Sequence, residues 1–217
     1  MIIKTEYDIM KLTQKDKYKI TSDWKKAYPS YQKYKNLQLL KRYGPLLFGI
    51  YLKPVYGEEH YVPVFFINSL LTKMNAISLS VQQPLLNQKK VEDSISLLRH
   101  NKDFDNLSTL FTQQVPLLSD ASITFYSIQK YYKDFIQMES GYPIYAIIDY
   151  LLFLLWSDQK DFFEQELMYY SEFIKKFPDN FKFLLKSTFD QLLNNDYLIT
   201  MRETLNNNIS CFKLEDL

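Results

Sequence analysis

The chain is poor in the residues that build reactive or cross-linked sites. It has 1 cysteine, 2 histidines and 4 glycines among 217 residues. The single cysteine, Cys211, excludes an internal disulfide framework and fits a reducing compartment. The few glycines leave little material for a phosphate-binding loop. With only 8 prolines, they also argue against disorder and against a turn-rich all-β fold.

Sequence motifs of the common enzyme classes are missing as well. The chain contains no Walker-type loop, no Gly-x-Gly-x-x-Gly and no Gly-x-Ser-x-Gly. His60 follows two glutamates at a predicted turn, and His100 follows Arg99 at a helix end, so neither has a second ligand at metal-binding spacing. We therefore expect no metal ion, no cofactor and no catalytic residue, and we predict that the protein is not an enzyme.

The sequence also lacks signals for export or membrane insertion. The apolar run from Tyr142 to Trp156 is shorter than the roughly 20 residues that a membrane-spanning helix needs. The first six residues, from Met1 to Glu6, lack the apolar run of a signal peptide. We expect a cytoplasmic protein with no membrane partner. Its 23 lysines against 3 arginines are typical of an AT-rich genome, bacterial or phage.

That apolar run is the segment around which we expect the fold to be organised. Pro143 suits the first position of a helix, and almost every residue from Ile144 to Trp156 is apolar. A helix without a polar face is buried on all sides. We therefore predict that residues 143–156 form the central helix of a helical core.

Hydrophobic periodicity divides the rest of the chain near Pro84. Before it, Leu46 to Val55 and Tyr61 to Ile67 read as a β-hairpin around a turn at residues 56–59, and Ala76 to Gln82 alternates as a third strand. Pro63 should lie at a sheet edge or at the start of its strand, because it has no N–H to donate. After Pro84 the spacing is helical, beginning with a helix marked by Val91, Ile95 and Leu98 and one marked by Phe104, Leu107 and Phe111.

These patterns predict a helix-rich α+β protein with a small antiparallel sheet of about three strands followed by a helical bundle. We expect one domain over residues 1–217: a basic helical N-terminal segment (1–43), the sheet (44–84) and a bundle (85–217) around helix 143–156. Within the first segment, Thr21 to Asp23 resembles a helix N-cap and Asn36 to Tyr43 a short helix.

Charge is distributed unevenly along the chain. Residues 1–53 hold 12 Lys/Arg and 4 Asp/Glu, a balance of +8, whereas residues 54–217 hold 14 and 21, a balance of −7; the sum is the overall +1. Between Lys11 and Arg42 there are ten basic and two acidic residues, interleaved with aromatic ones. Lysines could contact phosphates and aromatic rings could stack on unpaired bases, so residues 11–42 are a candidate nucleic-acid site.

Two other interpretations of this segment remain. The lysines form a solvated face while the rings pack inward, or the segment docks on an acidic protein, including a second copy of the chain. We rank the solvated face first, protein docking second and nucleic acid third. The candidate partner-binding residues are Trp24, Tyr28, Tyr31, Tyr34, Lys35 and Arg42, with Tyr169 as an outward-facing aromatic anchor.

Asp149 is the one carboxylate in the apolar helix. A buried carboxylate must be paired, hydrogen-bonded or protonated. It is either a polar contact between helices, for example to a tyrosine hydroxyl or a lysine, or a perturbed acid in a pocket. We favour the first, because no second catalytic group accompanies it in the sequence.

Together these observations favour a non-enzymatic partner-binding protein. An accessory or inhibitory subunit, such as a bacterial immunity protein or a component of a defence system, fits the split charge and the excess of aromatic residues. The alternatives are a nucleic-acid-binding subunit that uses the basic segment without sequence preference and an enzyme with a pocket around Asp149.

Overall fold

The computed structural model describes residues 11–55, 59–79, 81–138, 141–192 and 197–217. It is helix-rich and mixed, with 56% of residues in helices and 19% in strands. The predicted combination of helices with an antiparallel sheet is confirmed, but the sheet has six strands instead of about three.

Two of the strands lie where the sequence predicted the hairpin, two precede it and two follow it. Their bounds are β1 Gln32–Lys35, β2 Gln38–Tyr43, β3 Leu46–Pro54, β4 His60–Ser69, β5 Val81–Pro84 and β6 Ile95–Ser96. Strands β3 and β4 confirm the predicted hairpin, although its turn at residues 56–58 lies outside the described residues. The order in the sheet is β1-β2-β3-β4-β5, and β6 also pairs with β4.

The predicted short helix over Asn36 to Tyr43 is wrong, because this segment is the second strand of a tight hairpin. Gln32 pairs with Leu40, and the turn is closed with Leu37 in a left-handed conformation at φ 64°. Leu37, Leu39 and Leu40 are all buried, so their spacing resembled a helical stripe. The sheet therefore begins at Gln32, within the segment that we expected to be helical.

The predicted strand from Ala76 to Gln82 is also wrong over most of its length. Regular pairing begins only at Val81, and residues 76–79 form no strand. The backbone N–H of Ser78 donates instead to the side-chain oxygen of Asn68 at 2.9 Å. A side-chain amide thus takes the place of a strand partner. Ser80 lies outside the described residues.

Pro63 is the fourth residue of β4, which is not an edge strand, so its predicted position is wrong. The Pro63 carbonyl accepts a hydrogen bond from the N–H of Leu85 at 2.8 Å, just beyond the end of β5. In an antiparallel strand the N–H and C=O of one residue point to the same neighbour. The missing N–H of Pro63 therefore faces the point where pairing passes from β5 to β6.

Helix α1 starts earlier than the sequence indicated. Thr13 is its N-cap, and Thr13 and Asp16 form a reciprocal capping box. Thr21 to Asp23, predicted as an N-cap, lie inside the helix. The Thr21 hydroxyl donates to the Lys17 carbonyl and accepts from the Leu37 N–H, which connects α1 to the β1–β2 hairpin.

Six helices follow the first five strands, with β6 leading directly into α2. The separate helix marked by Val91, Ile95 and Leu98 is wrong, because Ile95 lies in β6 and α2 begins after it. The described helices are α1 Gln14–Ala27, α2 Leu97–Gln114, α3 Phe125–Met138, α4 Ile144–Trp156, α5 Lys160–Phe173, α6 Asp179–Leu192 and α7 Tyr197–Phe212, with short 3-10 turns at Pro116–Leu118, Asp120–Ser122 and Ile174–Lys176.

Helix α4 is buried as predicted. Ten of its 13 residues are buried, and it packs against α3, α5 and α6. Pro143 occupies the N-cap position, one residue before the helical turn in which we expected it. At about 25 cal/mol per Å² of apolar area, a helix buried on all sides contributes much of the stability of its neighbourhood.

The chain divides into two compact units. Unit 1 contains Met1–Leu40, Gly49–Phe65 and Gln83–Asp120, and unit 2 contains Lys41–Phe48, Phe66–Gln82 and Ala121–Leu217. Unit 1 includes α1 and α2, and unit 2 includes α3 to α7. The single domain that we expected stays a prediction.

Candidate functional site

Three of the predicted partner-binding residues belong to the core of unit 1. Trp24 and Tyr31 are completely buried and Tyr28 nearly so. The Trp24 ring stacks on Tyr28 at 5.9 Å and meets the edge of Phe111 at 5.6 Å. Their assignment as partner-binding residues is therefore wrong, because rings that are buried in the core of unit 1 offer no face to a partner or to a base.

Tyr28 is also engaged through its hydroxyl group. The Tyr28 hydroxyl donates to the Ser108 carbonyl at 2.9 Å and lies 3.0 Å from the Thr112 hydroxyl. Burial raises the pKa of Tyr28 to about 12, although the Thr112 hydrogen bond opposes the shift. Tyr28 thus pins α1 to α2 with a neutral hydroxyl.

A chain of hydrogen bonds runs through the interior of unit 1 beside these rings. The Trp24 indole N–H donates to the Tyr61 hydroxyl at 3.0 Å, and that hydroxyl lies 2.6 Å from Nδ1 of His100. On the other side of the ring, Nε2 of His100 lies 3.2 Å from the Asp23 carboxylate. Lys19 donates to the same carboxylate oxygen at 2.9 Å.

The indole N–H of Trp24 can only donate, so the Tyr61 hydroxyl accepts from it. Burial favours the neutral imidazole of His100. In that form the Nε2–H donates to the Asp23 carboxylate, and Nδ1 accepts a hydrogen bond from the Tyr61 hydroxyl. Every polar atom of the ring is engaged, and His100 has no exposed surface. This arrangement holds three elements together and offers no free base to a substrate.

The protonation behaviour of the two ends agrees with that assignment. Desolvation lowers the pKa of His100, and the hydrogen bond to Asp23 only partly opposes it. Burial alone would raise the pKa of Asp23, but the hydrogen bonds from Lys19 and His100 outweigh it, and the pKa is lowered. Asp23 is therefore ionised beside a neutral imidazole.

Sequence reasoning missed this chain, although one signal was present. His100 occupies the apolar stripe of α2 with Phe104, Leu107 and Phe111, at steps of 4, 3 and 4 residues. The sequence placed His100 at a helix end, whereas it is the first residue of that stripe and is completely buried. Its partners Asp23 and Tyr61 come from α1 and β4, and no local pattern connects them.

Part of the basic segment stays exposed on α1 and β1. All four residues of β1 are exposed, and β1 is an edge strand that pairs only with β2 among the described strands. The Lys33 ammonium lies 4.4 Å from the centre of the Tyr18 ring, and Lys35 lies 5.9 Å from that of Tyr34. We call Tyr18, Lys33, Tyr34 and Lys35 the β1 basic face.

The remaining predicted anchors belong to unit 2. Arg42 is half-buried, and its Nε donates to the carbonyl of Leu217 at 3.4 Å, so it is partly used within the fold. Tyr169 is exposed on α5 and stacks on Phe173 at 6.1 Å. Ring contacts continue from Phe173 through Phe177 to the half-exposed Tyr142. Tyr169 thus belongs to a row of aromatic rings.

Asp149 is buried in α4 and lines a cavity of about 310 Å³ in unit 2. The cavity also touches Asn68, Ser69 and Tyr145, so Asp149 has polar neighbours there. Its charge acts on Tyr132 of α3. Desolvation first and the Asp149 charge second raise the pKa of Tyr132 well above its usual value. The carboxylate therefore lines a cavity and acts electrostatically on a tyrosine of α3, and its role, as a helix contact or as an acid in a pocket, stays a prediction.

Three further features were sought: a metal-binding group of side chains, a membrane-spanning helix and a similarity to known proteins. No group of three or more His, Cys, Asp or Glu side chains that could hold a metal ion occurs within the described ranges. None of the helices in the described part of the chain is long and apolar enough to cross a membrane. No protein-family model, no characterised protein and no solved structure matches the chain.

Proposed function

We propose that the protein is a non-enzymatic partner-binding protein, an accessory or inhibitory subunit that binds an acidic protein through the β1 basic face. A bacterial immunity protein or a component of a defence system is the kind of role that fits. The observation that carries the proposal is the placement of Lys33 and Lys35 against exposed tyrosine rings on an edge strand.

The lysines of this face keep their charge available. Within the described residues, Lys33 and Lys35 form no ion pair, whereas Lys19 and Lys26 share the carboxylate of Asp23. A cation that is already paired adds little to the attraction of a partner. The unpaired ones, grouped on one edge, create the positive field that speeds encounter with an acidic surface.

The exposed rings supply the second component of binding. Tyr18 is 61% exposed and Tyr34 is 36% exposed, so each ring can bury further surface when a partner binds. Tyrosine gives a large contact area at a small entropic cost, which is why it is enriched at interface centres. The contacts of the Lys33 and Lys35 ammonium groups with these rings restrict the two side chains before binding. This restriction reduces the entropic cost of ordering them in a complex.

The experiment is affinity capture from the native cell with a charge-reversed variant as the discriminator. The wild-type chain should retain a stoichiometric acidic protein, and Lys33→Glu combined with Lys35→Glu should lose it. The matched control, Lys160→Glu with Lys186→Glu, changes the net charge equally on exposed lysines of α5 and α6 and should retain the partner.

Reconstitution with the purified partner then measures the effect. We expect the double reversal to weaken affinity by on the order of tenfold or more, mainly through slower association and with a marked dependence on salt. Equal loss in both double variants would contradict the proposal. A shift of a single-stranded 20-mer at low salt, lost only with Lys33→Glu and Lys35→Glu, would favour the nucleic-acid alternative.

A further inference from the structure

The cavity at Asp149 has walls from two parts of unit 2. One wall is α4, which contributes Asp149 and Tyr145; the other is the end of β4 and the following segment, which contribute Asn68, Ser69, Lys73 and Ser78. Asp149 and Asn68 are buried, whereas Tyr145 is 66% exposed. The cavity therefore has a polar floor and an accessible rim.

Two buried amides hold the irregular wall in place. The Asn68 side-chain oxygen accepts from the N–H of Ser78 at 2.9 Å and from its hydroxyl at 2.8 Å, and its Nδ2 donates to the Ser69 carbonyl at 3.1 Å. Asn208 of α7 donates to the carbonyls of Leu70 and Thr72 at 2.9 and 2.8 Å. Buried amides that satisfy a segment in this way fix its geometry. The cavity is thus preformed.

The charges on the cavity indicate what it would bind. Asp149 places a carboxylate on the floor, in a poorly hydrated environment where attraction to a cation is strengthened. The exposed Tyr145 ring on the rim can support a cation on its face. Lys73, which also lines the cavity, is exposed, so water and salt screen its repulsion of a cation more strongly than they screen the attraction of the buried carboxylate. These features favour a ligand with one cationic group.

The size of the cavity sets the class of ligand. Its volume of about 310 Å³ lies at the lower end of the roughly 300–1,000 Å³ range of small-molecule sites. We propose that unit 2 binds a small molecule with a single ammonium or guanidinium group, held by the Asp149 carboxylate beneath the Tyr145 ring. This inference does not depend on partner binding by the β1 basic face.

The test is an NMR titration of the full chain with three probes of equal length: butylamine, butanoate and butanol. Butylamine should shift the backbone amides of residues 68–78 and 145–149, and the other two probes should leave them unchanged. Asp149→Asn should weaken butylamine binding roughly tenfold or more, because it removes a charge-assisted hydrogen bond. Asp134→Asn in α3, at a half-buried residue that pairs with Lys130, gives the same charge change and should have no effect on butylamine binding.

A second variant keeps the test decisive if Asp149→Asn does not fold. Tyr145→Ala alters only an exposed rim residue and should weaken butylamine binding several-fold while leaving the melting temperature close to that of the wild type. The proposal is overturned if butylamine at millimolar concentration shifts no amide of residues 68–78. It is also overturned if butanol binds as well as butylamine, or if the shifts map to another part of the chain.

Discussion

The two units differ in the hydrogen bonding of a buried tyrosine hydroxyl. In unit 1, the Tyr61 hydroxyl receives the Trp24 indole N–H and donates to His100, so a buried aromatic hydroxyl is fully used. In unit 2, the equally buried Tyr132 hydroxyl has no hydrogen-bond partner among the described residues. The Tyr61 hydroxyl thus belongs to a connected polar chain, whereas the Tyr132 hydroxyl lies in apolar packing beside α4.

The largest test of this difference inserts a charge into the apolar core of unit 2. Leu152 in α4 is completely buried, so Leu152→Asp would place a carboxylate where no group can pair with it. We expect a loss on the order of 5 kcal/mol or more in the free energy of unfolding, enough to abolish soluble expression. Expression yield and circular dichroism measure it.

The control for this substitution lies one turn along the same helix. Leu155 is only half-buried, so Leu155→Asp should cost less and leave some folded protein. Normal stability of Leu152→Asp would show that α4 is not the packed centre of unit 2. Equal loss in both variants would indicate an effect of charge on the helix itself and not of its burial.

A matched pair of hydroxyl deletions compares the units directly. Tyr61→Phe would leave the Trp24 N–H and the His100 ring nitrogen without partners, and should reduce the free energy of unfolding by about 1–3 kcal/mol. Tyr132→Phe removes a hydroxyl with no described partner and should change it by less than about 0.5 kcal/mol, or stabilise the protein. Urea unfolding of both variants gives the comparison. A larger effect for Tyr132→Phe would reverse it.

The smallest expected effect is the pH dependence that unit 1 derives from His100. Because burial lowers the pKa of His100, the unfolded chain binds the proton more readily than the folded chain. The contribution of His100 is therefore present above its unfolded pKa of about 6.5 and is lost as pH falls from there towards its folded pKa. Asp23, whose pKa is also lowered, loses its contribution further down, below about pH 4.

Unfolding free energies measured between pH 8 and pH 5 should fall with decreasing pH. The slope should flatten in His100→Gln and persist in His60→Gln, which changes the other histidine, in β4. The groups that face His100 are Lys19 and Asp23 from α1 and Tyr61 from β4. An unchanged slope in His100→Gln would assign the acid sensitivity to other groups.

Some elements of the fold could be predicted from the sequence, and others could not. The burial of α4 and the β3–β4 hairpin followed from local periodicity, because apolar spacing alone determines which face is covered. The β1–β2 hairpin and the loop after β4 did not. The Leu37 turn needs a left-handed leucine, and residues 76–79 are held by the distant side chain of Asn68.

The candidate sites show the same limit. Asp149 could be singled out, because a carboxylate in an apolar helix must have a partner or a cavity. The inward packing of Trp24, Tyr28 and Tyr31 could not be distinguished from an exposed aromatic face, because helical spacing reports a common face and not its surroundings. The polar chain through His100 joins residues 39 and 77 positions apart, which no local pattern connects.

The apolar character of α4 has a further consequence before the protein has folded. During synthesis, Ile144–Trp156 emerges with Asp149 as its one charged residue, and the later helices that cover it, α5 and α6, have not yet been made. A single charge within such a run acts as a gatekeeper that disfavours self-association. We therefore expect Asp149 to disfavour self-association of this nascent segment until α5 and α6 have been made.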